Sequence, residues 1–380
     1  MASLSPAPSP NRTRFAALDV FRGLTIFLMI LVNTSGPGAE AFPILVHARW
    51  IGFTAADLVF PTFLFVMGNA MAFALARPIP TAPYLLRLLR RSAIIFALGV
   101  LMYWFPFFRM GEHGASWIPF SETRIPGVLQ RLALCYLAAG LLVRGLRPRA
   151  LVVACAALLV GYWFLLVHFG LPGEAFSKTG NAGTLLDNAL LPPAHLYRKD
   201  HGFDPEGLLG TLPATVNVLA GYLASLAVLR HKANVRRALA PMVATGVALV
   251  VAGLAWAPWF PIAKKLWTGS FVLLTTGCDL VLLAALIWLY ECRKVEWGKR
   301  FFLVLGRNPL AIYLFSEIFV VALNLVRVPG YGGLYDWIGI AGFQALWPGA
   351  VGALLCALAY TLVCWALGWL LDRRGLILKV

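Results

Sequence analysis

The chain alternates between long apolar runs and short polar connections. Ten runs approach the roughly 20 apolar residues that a helix needs to cross a bilayer. Each run is continuously apolar instead of alternating, which favours helices over the strands of a β-barrel. The runs cover about 16–34, 53–76, 91–108, 126–143, 150–170, 207–229, 238–258, 270–290, 301–325 and 346–371. The pattern predicts an all-α, polytopic integral membrane bundle of about ten transmembrane helices.

Composition agrees with this class. Of the 380 residues, 60% are hydrophobic and only 13% are charged, whereas a soluble domain is about half apolar and about a quarter charged. The net charge of +16 is explained by basic loops next to a membrane. A nucleic-acid-binding protein would show an exposed basic stripe with base-reading side chains. We see no such stripe and expect no nucleic-acid partner.

The basic residues also predict the orientation. With the N-terminus inside, the cytoplasmic segments hold 20 Lys and Arg residues and the opposite side holds nine, so both termini are expected in the cytoplasm. Residues 1–13 read as a short cytoplasmic tail and not as a signal peptide. Residues 14–380 read as a single transmembrane domain, in which 171–206 is the long periplasmic loop and is long enough to cover a site.

Cysteine and histidine spacing argues against a metal site. The six cysteines lie in apolar runs or at the edge of one, and no CxxC pair occurs, which excludes a disulfide framework and a thiolate zinc site. The histidines show no HxxxH or HxxEH spacing. We expect no metal.

Ionisable residues inside spans are candidate functional groups. Asp19 and Arg22 share a helix face, and an ion pair that anchors the inner end of the helix would explain them equally well. Eleven residues separate Arg22 from Asn33, so Asn33 lies on the same face about 16 Å higher. This face offers a cation near the cytoplasm and a carboxamide near the outer surface, as a long ligand with a phosphate end would need.

A second candidate group lies in ILVHARWIGFTAADLVFPTF, residues 44–63. A Gly/Pro loop returns the chain from Asn33 to His47, so both are expected at the outer mouth, with Asp57 about one turn into the next helix. Interfacial packing is the simple alternative for a lone histidine. The nearby carboxylate and carboxamide instead favour a general base, with Trp50 as an interfacial group.

Other polar residues are expected on the outer side, each a weak signal alone. They are Gln130 and Arg131, Asp204 and Glu206, Lys264, Lys265 and Trp267, and Asn308. A solvated loop would also explain the lysines, and the two carboxylates could favour the N-terminus of the following helix. We assign no role to Asp279, Glu317 or Arg49.

Several of these segments together carry a resemblance. The blocks LDVFRGLTIFLMILVN, HARWIGFTAADLVFPTFLFVMG, GVLQRLALCYLAAGLL, DPEGLLGTLPATVNVLAGY, KKLWTGSFVLLTTG and LGRNPLAIYLFSE occur in this order. They resemble the heparan-α-glucosaminide N-acetyltransferase family, including its bacterial members, over nearly the whole chain. The resemblance implies transfer of an acetyl group from cytosolic acetyl-CoA to the amine of glucosamine on the far side of the membrane, here the periplasmic side of a bacterial inner membrane.

The resemblance also implies residue roles. The catalytic histidine of the family falls on His47 and an asparagine of its first span on Asn33. Asp57 would then orient the imidazole. Candidates for binding acetyl-CoA are Arg22, Gln130, Arg131, Lys264, Lys265, Trp267 and Asn308, and candidates for binding the sugar are Trp50, Asp204 and Glu206. Direct transfer and an acetyl-histidine intermediate both stay open.

Two rival functions stay open beside this one. The cavity could carry an amino sugar as a transporter, although no inverted repeat is visible. The chain could also be an O-acyltransferase that acts on a hydroxyl of an envelope glycan. The sequence leaves open whether the protein is a monomer or a homo-oligomer.

Overall fold

The computed structural model describes residues 15–75, 80–111, 114–198, 200 and 202–378. These residues form thirteen α-helices and two short antiparallel hairpins. The helices are α1 Ala16–Asn33, α2 Ala55–Ala74, α3 Thr81–Trp104, α4 Val128–Gly145, α5 Pro148–Phe169, α6 Ala182–Leu190, α7 Thr211–Arg230, α8 Arg236–Trp256, α9 Gly269–Ile287, α10 Lys299–Arg307, α11 Pro309–Leu325, α12 Leu334–Trp337 and α13 Ala350–Arg373. The hairpins pair β1 Phe108–Gly111 with β2 Gly114–Trp117, and β3 Arg327–Val328 with β4 Gly332–Gly333. The tail predicted for 1–13 lies outside the described residues.

The prediction of a polytopic helical membrane protein is confirmed. Eight of the ten predicted runs coincide with helices that are long and apolar enough to cross a membrane, namely α1, α2, α4, α5, α7, α8, α9 and α13. The run 301–325 is instead a pair of helices, α10 and α11, bent by 81°. The run 91–108 falls on α3, which begins earlier, at Thr81, and carries three arginines in its first half.

The bend between α10 and α11 has a local cause. Pro309 has no backbone N–H to donate, and its ring disfavours helical geometry at the preceding residue. Asn308 accordingly leaves the helical region, with φ −128° and ψ 51°. Its side chain then binds the chain beyond α13, donating to the carbonyl of Leu376 at 2.9 Å and accepting from the N–H of Leu378 at 2.8 Å.

Glycines set the distance between α2 and α7. A Cβ added at Gly68 would lie 1.9 Å from the carbonyl oxygen of Val218, and one added at Gly221 would lie 1.9 Å from that of Phe65. Helices in lipid gain stability from close packing because no hydrophobic driving force acts between them. The same close approach joins α1 to α10 and α8 to α9.

Buried polar contacts tie α9 to its neighbours. Thr62 Oγ1 donates to Asp279 Oδ1 at 2.6 Å. The amide of Asn217 donates to Thr276 at 3.2 Å and accepts from Trp267 Nε1 at 3.1 Å. Such groups need protein partners inside a membrane, where no water replaces them. The contacts give Asp279 a place in helix packing and hold Trp267 just before the start of α9.

Most residues of the predicted site lie at one end of the bundle. Helix α1 ends here, and α2, α4, α7 and α9 begin here; we call it the His47 end. The segment 171–206, predicted as a long loop, contains α6 and lies against this end through buried Leu196 and Phe203. Phe203 contacts Trp50 edge-to-face, with 4.9 Å between ring centroids. The segment therefore covers part of the end, as its length suggested.

Candidate active site

Asp57 is fixed by the first turn of α2. Its Oδ2 accepts hydrogen bonds from the backbone N–H of Thr54 at 3.0 Å and of Ala48 at 3.2 Å. Thr54 is the N-cap of α2, and its backbone N–H is one of the helix-start donors that need a partner. The carboxylate also favours the positive end of the helix dipole. Asp57 is therefore fully buried and held in one orientation.

The second oxygen of this carboxylate holds His47. Asp57 Oδ1 lies 3.0 Å from His47 Nδ1. Since a carboxylate can only accept, the imidazole donates from Nδ1, and Nε2 keeps its lone pair. The imidazole is 40% exposed while the carboxylate is 0% exposed. A buried carboxylate thus orients a partly exposed imidazole, as general-base catalysis requires.

Lys264 reaches the same imidazole from a distant loop. The backbone N–H of Gly52 donates to the carbonyl of Ile262 at 2.8 Å, which joins the two loops. Gly52 adopts φ +125°, a conformation that disfavours residues with a Cβ. Lys264 Nζ then lies 3.0 Å from both ring nitrogens of His47 and 3.8 Å from Asp57 Oδ1.

The ammonium of Lys264 is largely withdrawn from water. Its side chain is 17% exposed. Burial lowers the pKa of Lys264 to about 8, although the Asp57 carboxylate opposes this by favouring the charged form. A lysine with such a pKa can donate or accept a proton near neutral pH. Lys264 is therefore a candidate for chemistry as well as for binding.

Asn33 and Glu317 form a pair on the opposite wall. Asn33 Nδ2 donates to Glu317 Oε1 at 3.1 Å. Asn33 is the last residue of α1, and Glu317 lies in the middle of α11. The contact fixes the orientation of the carboxamide and leaves its second N–H for another acceptor.

These groups share one cavity of about 230 Å³. Its walls include Asn33, His47, Lys264, Lys265 and Trp267. Glu206, Tyr197 and the apolar side chains of Met29, Val59 and Phe60 also line it. The structure thus brings together side chains from six separate stretches of the chain.

An arginine holds the wall that contains Glu206. Arg124 Nη2 lies 2.5 Å from both Asp204 Oδ1 and Glu206 Oε2. Its guanidinium also lies over the rings of Tyr103 and Tyr197, at 5.1 and 4.6 Å from the centroids. Burial disfavours the charge, but the two carboxylates outweigh it and raise the pKa of Arg124.

The ion pairs of Arg124 place Asp204 and Glu206 differently. Asp204 is buried and lies behind the cavity wall. Glu206 lines the cavity itself, so of the two carboxylates it is the one that a ligand could meet.

Arg131 lies behind the cavity instead of in it. Its side chain is 2% exposed and donates to the carbonyl of Gly207 at 2.9 Å. Its guanidinium lies 5.2 Å from the ring of Trp267. Neighbouring Gln130 is equally buried. Arg131 supports the cavity wall from behind through Trp267, and contact of either residue with a cofactor stays a prediction.

Trp267 carries a strained backbone at the cavity. Its φ is +56°, which residues with a Cβ rarely adopt and which often marks a functional site. The side chain packs edge-to-face on Phe60, with 5.0 Å between centroids. Packing and the hydrogen bond to Asn217 hold the ring in the cavity wall despite this strain.

A second ionic cluster covers the loop side. Asp200 pairs with Lys265 and, at 2.7 Å, with Lys178. Burial would raise the pKa of the Asp200 carboxyl, but the two ammonium groups outweigh burial and hold it below its usual value. Lys178 also lies 5.6 Å from the ring centroid of Trp50. Trp50 donates to the carbonyl of Phe176 at 2.9 Å and belongs to this cluster, outside the cavity lining.

Two predicted cofactor contacts lie toward the opposite end of the bundle. Arg22 bonds Asp19 and the carbonyl of Gly306, both at 3.2 Å. Asn308, expected on the outer side, instead follows Gly306 at the bend after α10, because α10 packs against the first half of α1. Neither residue lies in the cavity lining.

Two site residues were missed from the sequence. Arg124 is one of the nine basic residues predicted on the outer side, and its position in RIPGVLQR, just before a span, is a usable signal. Glu317 was noted without a role, although a carboxylate within a span is itself a signal. For metals, the described residues contain no group of three or more His, Cys, Asp or Glu side chains placed to hold an ion.

Comparison with known proteins places the chain in a family. Residues 14–255 match the family model described as "Heparan-alpha-glucosaminide N-acetyltransferase, catalytic". The chain belongs to this family. Asn33, His47 and Asp57 lie inside the matched region, while Lys264 and Glu317 follow it.

Individual relatives extend the similarity. The human heparan-alpha-glucosaminide N-acetyltransferase is 27% identical over 361 residues, which cover 80% of this chain and 53% of the human protein. The mouse protein of the same name is 28% identical over 368 residues, or 82% of this chain and 54% of the mouse protein. The chain thus spans about half the length of the curated relatives it matches.

Proposed function

We propose that the protein is a membrane-embedded acetyltransferase. It moves an acetyl group from cytoplasmic acetyl-CoA to the amine of a glucosamine-type sugar on the periplasmic side of a bacterial inner membrane. The observation that carries the proposal is the Asp57–His47 pair at the cavity, in which Nδ1 donates to the carboxylate and the imidazole is 40% exposed. Membership of the family supports the acetyl-transfer chemistry.

His47 is the general base of this reaction. Nε2 takes the proton that the sugar amine loses as its nitrogen bonds to the thioester carbonyl carbon. The C–S bond then breaks, and CoA leaves as a thiolate. Asp57 accepts the hydrogen bond from Nδ1 throughout and stabilises the imidazolium that forms. Base catalysis of this kind contributes about 10²–10⁴-fold.

Lys264 is the acid that protonates the leaving thiolate. Its pKa of about 8 is close to that of a thiol, about 8.5. Having given up its proton, the neutral amine can take the proton of the His47 imidazolium 3.0 Å away. The proton lost by the sugar amine is thereby returned to the CoA sulfur, and His47 and Lys264 both recover their starting states.

Asn33 stabilises the oxygen of the reacting carbonyl. Its Nδ2 keeps one N–H free after donating to Glu317, and that N–H can bond to the oxyanion as the amine adds. One such donor is worth about 3 kcal/mol in comparable sites. Glu317 acts through Asn33 and is a positioning residue.

The cavity suits the reacting ends of the two substrates. About 230 Å³ is below the roughly 300–1,000 Å³ of pockets that enclose drug-sized ligands. The nucleotide of CoA would therefore lie beyond it. Arg22 and Asn308 toward the opposite end of α1 are candidates for that part, with Lys265 at the cavity as the nearer cation. Glu206 lines the cavity and is the candidate to accept a hydrogen bond from the neutral sugar amine.

A thioester-consumption assay tests the proposal. Purified protein with acetyl-CoA and a panel of amino sugars is expected to release CoA thiol with glucosamine, and His47→Ala is expected to abolish release. Absence of release with every acceptor would overturn the proposal. Uptake of labelled glucosamine into proteoliposomes without acetyl-CoA would replace it with transport. Mass analysis of protein exposed to acetyl-CoA alone separates direct transfer from an acetyl-histidine intermediate.

A further inference from the structure

A second, larger concavity lies between four helices, and its lining shares no residue with the His47 cavity. It measures about 550 Å³, and α5 and α8 form its sides while α7 and α9 form its floor. The part of the floor on α7 carries the small side chains of Ala220, Ala224 and Ala227. We call this concavity the α5–α8 groove.

The lining of the groove is apolar and lies within membrane-spanning helices. Of its side chains, only Thr245, Thr276 and His231 carry oxygen or nitrogen atoms beyond the aromatic N–H of Trp256. Only 22% of the spanning windows of α5 and of α8 is buried inside the protein, so both flanks of the groove face the bilayer. Hydrocarbon is therefore the chemistry that the groove can hold.

One end of the groove leads to a dense basic cluster. Helix α7 ends at Arg230, α8 begins at Arg236, and His231 of the connecting turn lines the groove. This turn is RHKANVRR, and its four Lys and Arg side chains are all exposed. Exposed Arg147 and Arg149 lie at the start of α5, whose Val152, one turn further along, lines the same groove.

No carboxylate balances these cations along the chain. The stretches 141–173 and 207–278, which include α5, α7, α8 and most of α9, contain neither Asp nor Glu. A positive cluster at the headgroup level, continuous with an apolar groove at the depth of the acyl chains, matches both parts of an anionic lipid. A second protein copy would match the groove but not the excess of positive charge at its end.

We propose that the α5–α8 groove binds an anionic glycerophospholipid. One acyl chain lies along the alanine floor, and the phosphate is held by Lys232, Arg236 and Arg237. Each basic residue close to an anionic headgroup contributes about fivefold in affinity, and the buried chain adds to this with each methylene. The site is independent of the acetyl-transfer proposal and lies outside the His47 cavity.

Native mass spectrometry of the purified protein in detergent tests the site. Dioleoyl phosphatidylglycerol is expected to bind at least tenfold more tightly than dioleoyl phosphatidylcholine. Glycerol 1-phosphate, which has the headgroup charge but no chains, is expected not to compete. Equal affinity for the two lipids, or competition by glycerol 1-phosphate, would overturn the proposal.

Two matched pairs of variants separate charge from shape. Arg236→Gln/Arg237→Gln is expected to weaken phosphatidylglycerol binding at least tenfold, and the equally exposed Arg87→Gln/Arg90→Gln on α3 is expected to leave it unchanged. Ala156→Trp fills the groove and is expected to weaken binding, whereas Ala157→Trp on the adjacent lipid-facing position is not.

These positions are exposed, so the variants are expected to keep the unfolding temperature of the parent. Equal affinities within either pair would overturn the site. A dimer peak that Ala156→Trp removes, without a lipid preference in the parent, would assign the groove to a second copy.

Discussion

The ammonium of Lys264 lies 3.0 Å from both ring nitrogens of His47, although 217 residues separate them in the chain. In the proposed reaction this pair moves one proton from the attacking amine to the departing sulfur. Lys264→Met is therefore expected to lower kcat by about 10²-fold or more, with a smaller effect on KM. Lys178→Met, on the other lysine held by Asp200 and outside the cavity lining, is the control and is expected to keep kcat within a few-fold.

The same proton transfer predicts a pH dependence. Burial lowers the pKa of Lys264 to about 8, so the ammonium, and with it kcat, is expected to fall as the pH rises above about 8. Arginine stays protonated in this range, so Lys264→Arg is expected to lose this alkaline limb. Steady-state release of CoA thiol between pH 6 and 10 measures both profiles. An alkaline limb that is identical in Lys264→Arg would remove Lys264 from the proton path.

Asp57→Asn is expected to disturb the chemistry more than the fold. The amide oxygen can still accept from Thr54. The amide NH2 group, however, cannot accept from His47 Nδ1, so the variant no longer holds the imidazole in the tautomer that donates from Nδ1. We expect kcat to fall by about 10²–10⁴-fold. Asp279→Asn is the matched control, since Asp279 is equally buried and lies outside the cavity lining. Similar losses of kcat in both variants would indicate a general effect of losing a buried carboxylate.

Glu317 is expected to act on kcat only through Asn33. Glu317→Gln keeps an oxygen that can accept from Asn33 Nδ2 and is expected to retain kcat within about fivefold. Glu317→Leu removes the acceptor, frees the carboxamide to rotate, and is expected to lose up to about 10²-fold, the effect of losing one oxyanion donor. Failure of glutamine to restore what leucine loses would contradict a positioning role.

A methyl group added at the contact between α2 and α7 is expected to lower the stability of the fold. Gly68→Ala would place Cβ 1.9 Å from a backbone oxygen, so the helices must move apart, at a cost of about 1–3 kcal/mol. Gly161→Ala on α5 has no atom within 4 Å of the new Cβ and is expected to be neutral or to stabilise by up to about 1 kcal/mol. Thermal unfolding in detergent compares the two. Equal unfolding temperatures would contradict the close packing.

Asp187 is expected to make stability depend on pH in acid. Burial raises the pKa of this carboxyl to about 6, against an ordinary value of 3.8, despite the hydrogen bond from Leu208 N–H. Between about pH 4 and 6 the folded state binds more protons than the unfolded state, so stability falls as pH rises through this window. Two pKa units correspond to about 3 kcal/mol. Asp187→Asn is expected to flatten this slope in unfolding temperature, and an unchanged slope would exclude Asp187 as its source.

The bilayer made much of the fold predictable. Every span must satisfy its own backbone and present apolar side chains to lipid, so eight runs read from hydrophobicity alone coincide with helices. The two exceptions are caused by individual side chains, whose effect is lost when hydrophobicity is averaged over a whole run. Arginines in α3 shorten its apolar part, and Pro309 breaks the run 301–325 into a bent pair.

The candidate site was predictable only where it is local. Asn33, His47 and Asp57 lie within 25 residues of one another, so loop length and helix phase brought them together. Glu317 reaches Asn33 because α11 turns away from α10 by 81°, and Lys264 reaches His47 because two loops share a backbone hydrogen bond. The hydrophobic pattern along the chain contains no information about either contact. It also does not show how α10 packs on α1, so the prediction of Asn308 on the outer side is wrong.

The bond from Gly52 N–H to the Ile262 carbonyl also distinguishes two lysines that are identical in chemistry. It anchors the loop two residues before Lys264, so that Lys264 faces the imidazole while Lys265 faces Asp200. Deleting one residue between this anchor and Lys264 would move Lys265 to the position that faces the imidazole and would leave the apolar Leu266 at the position that faces Asp200. The position of Lys264 therefore depends on loop length, whereas the bond itself needs from Ile262 only a main-chain oxygen, which any residue supplies.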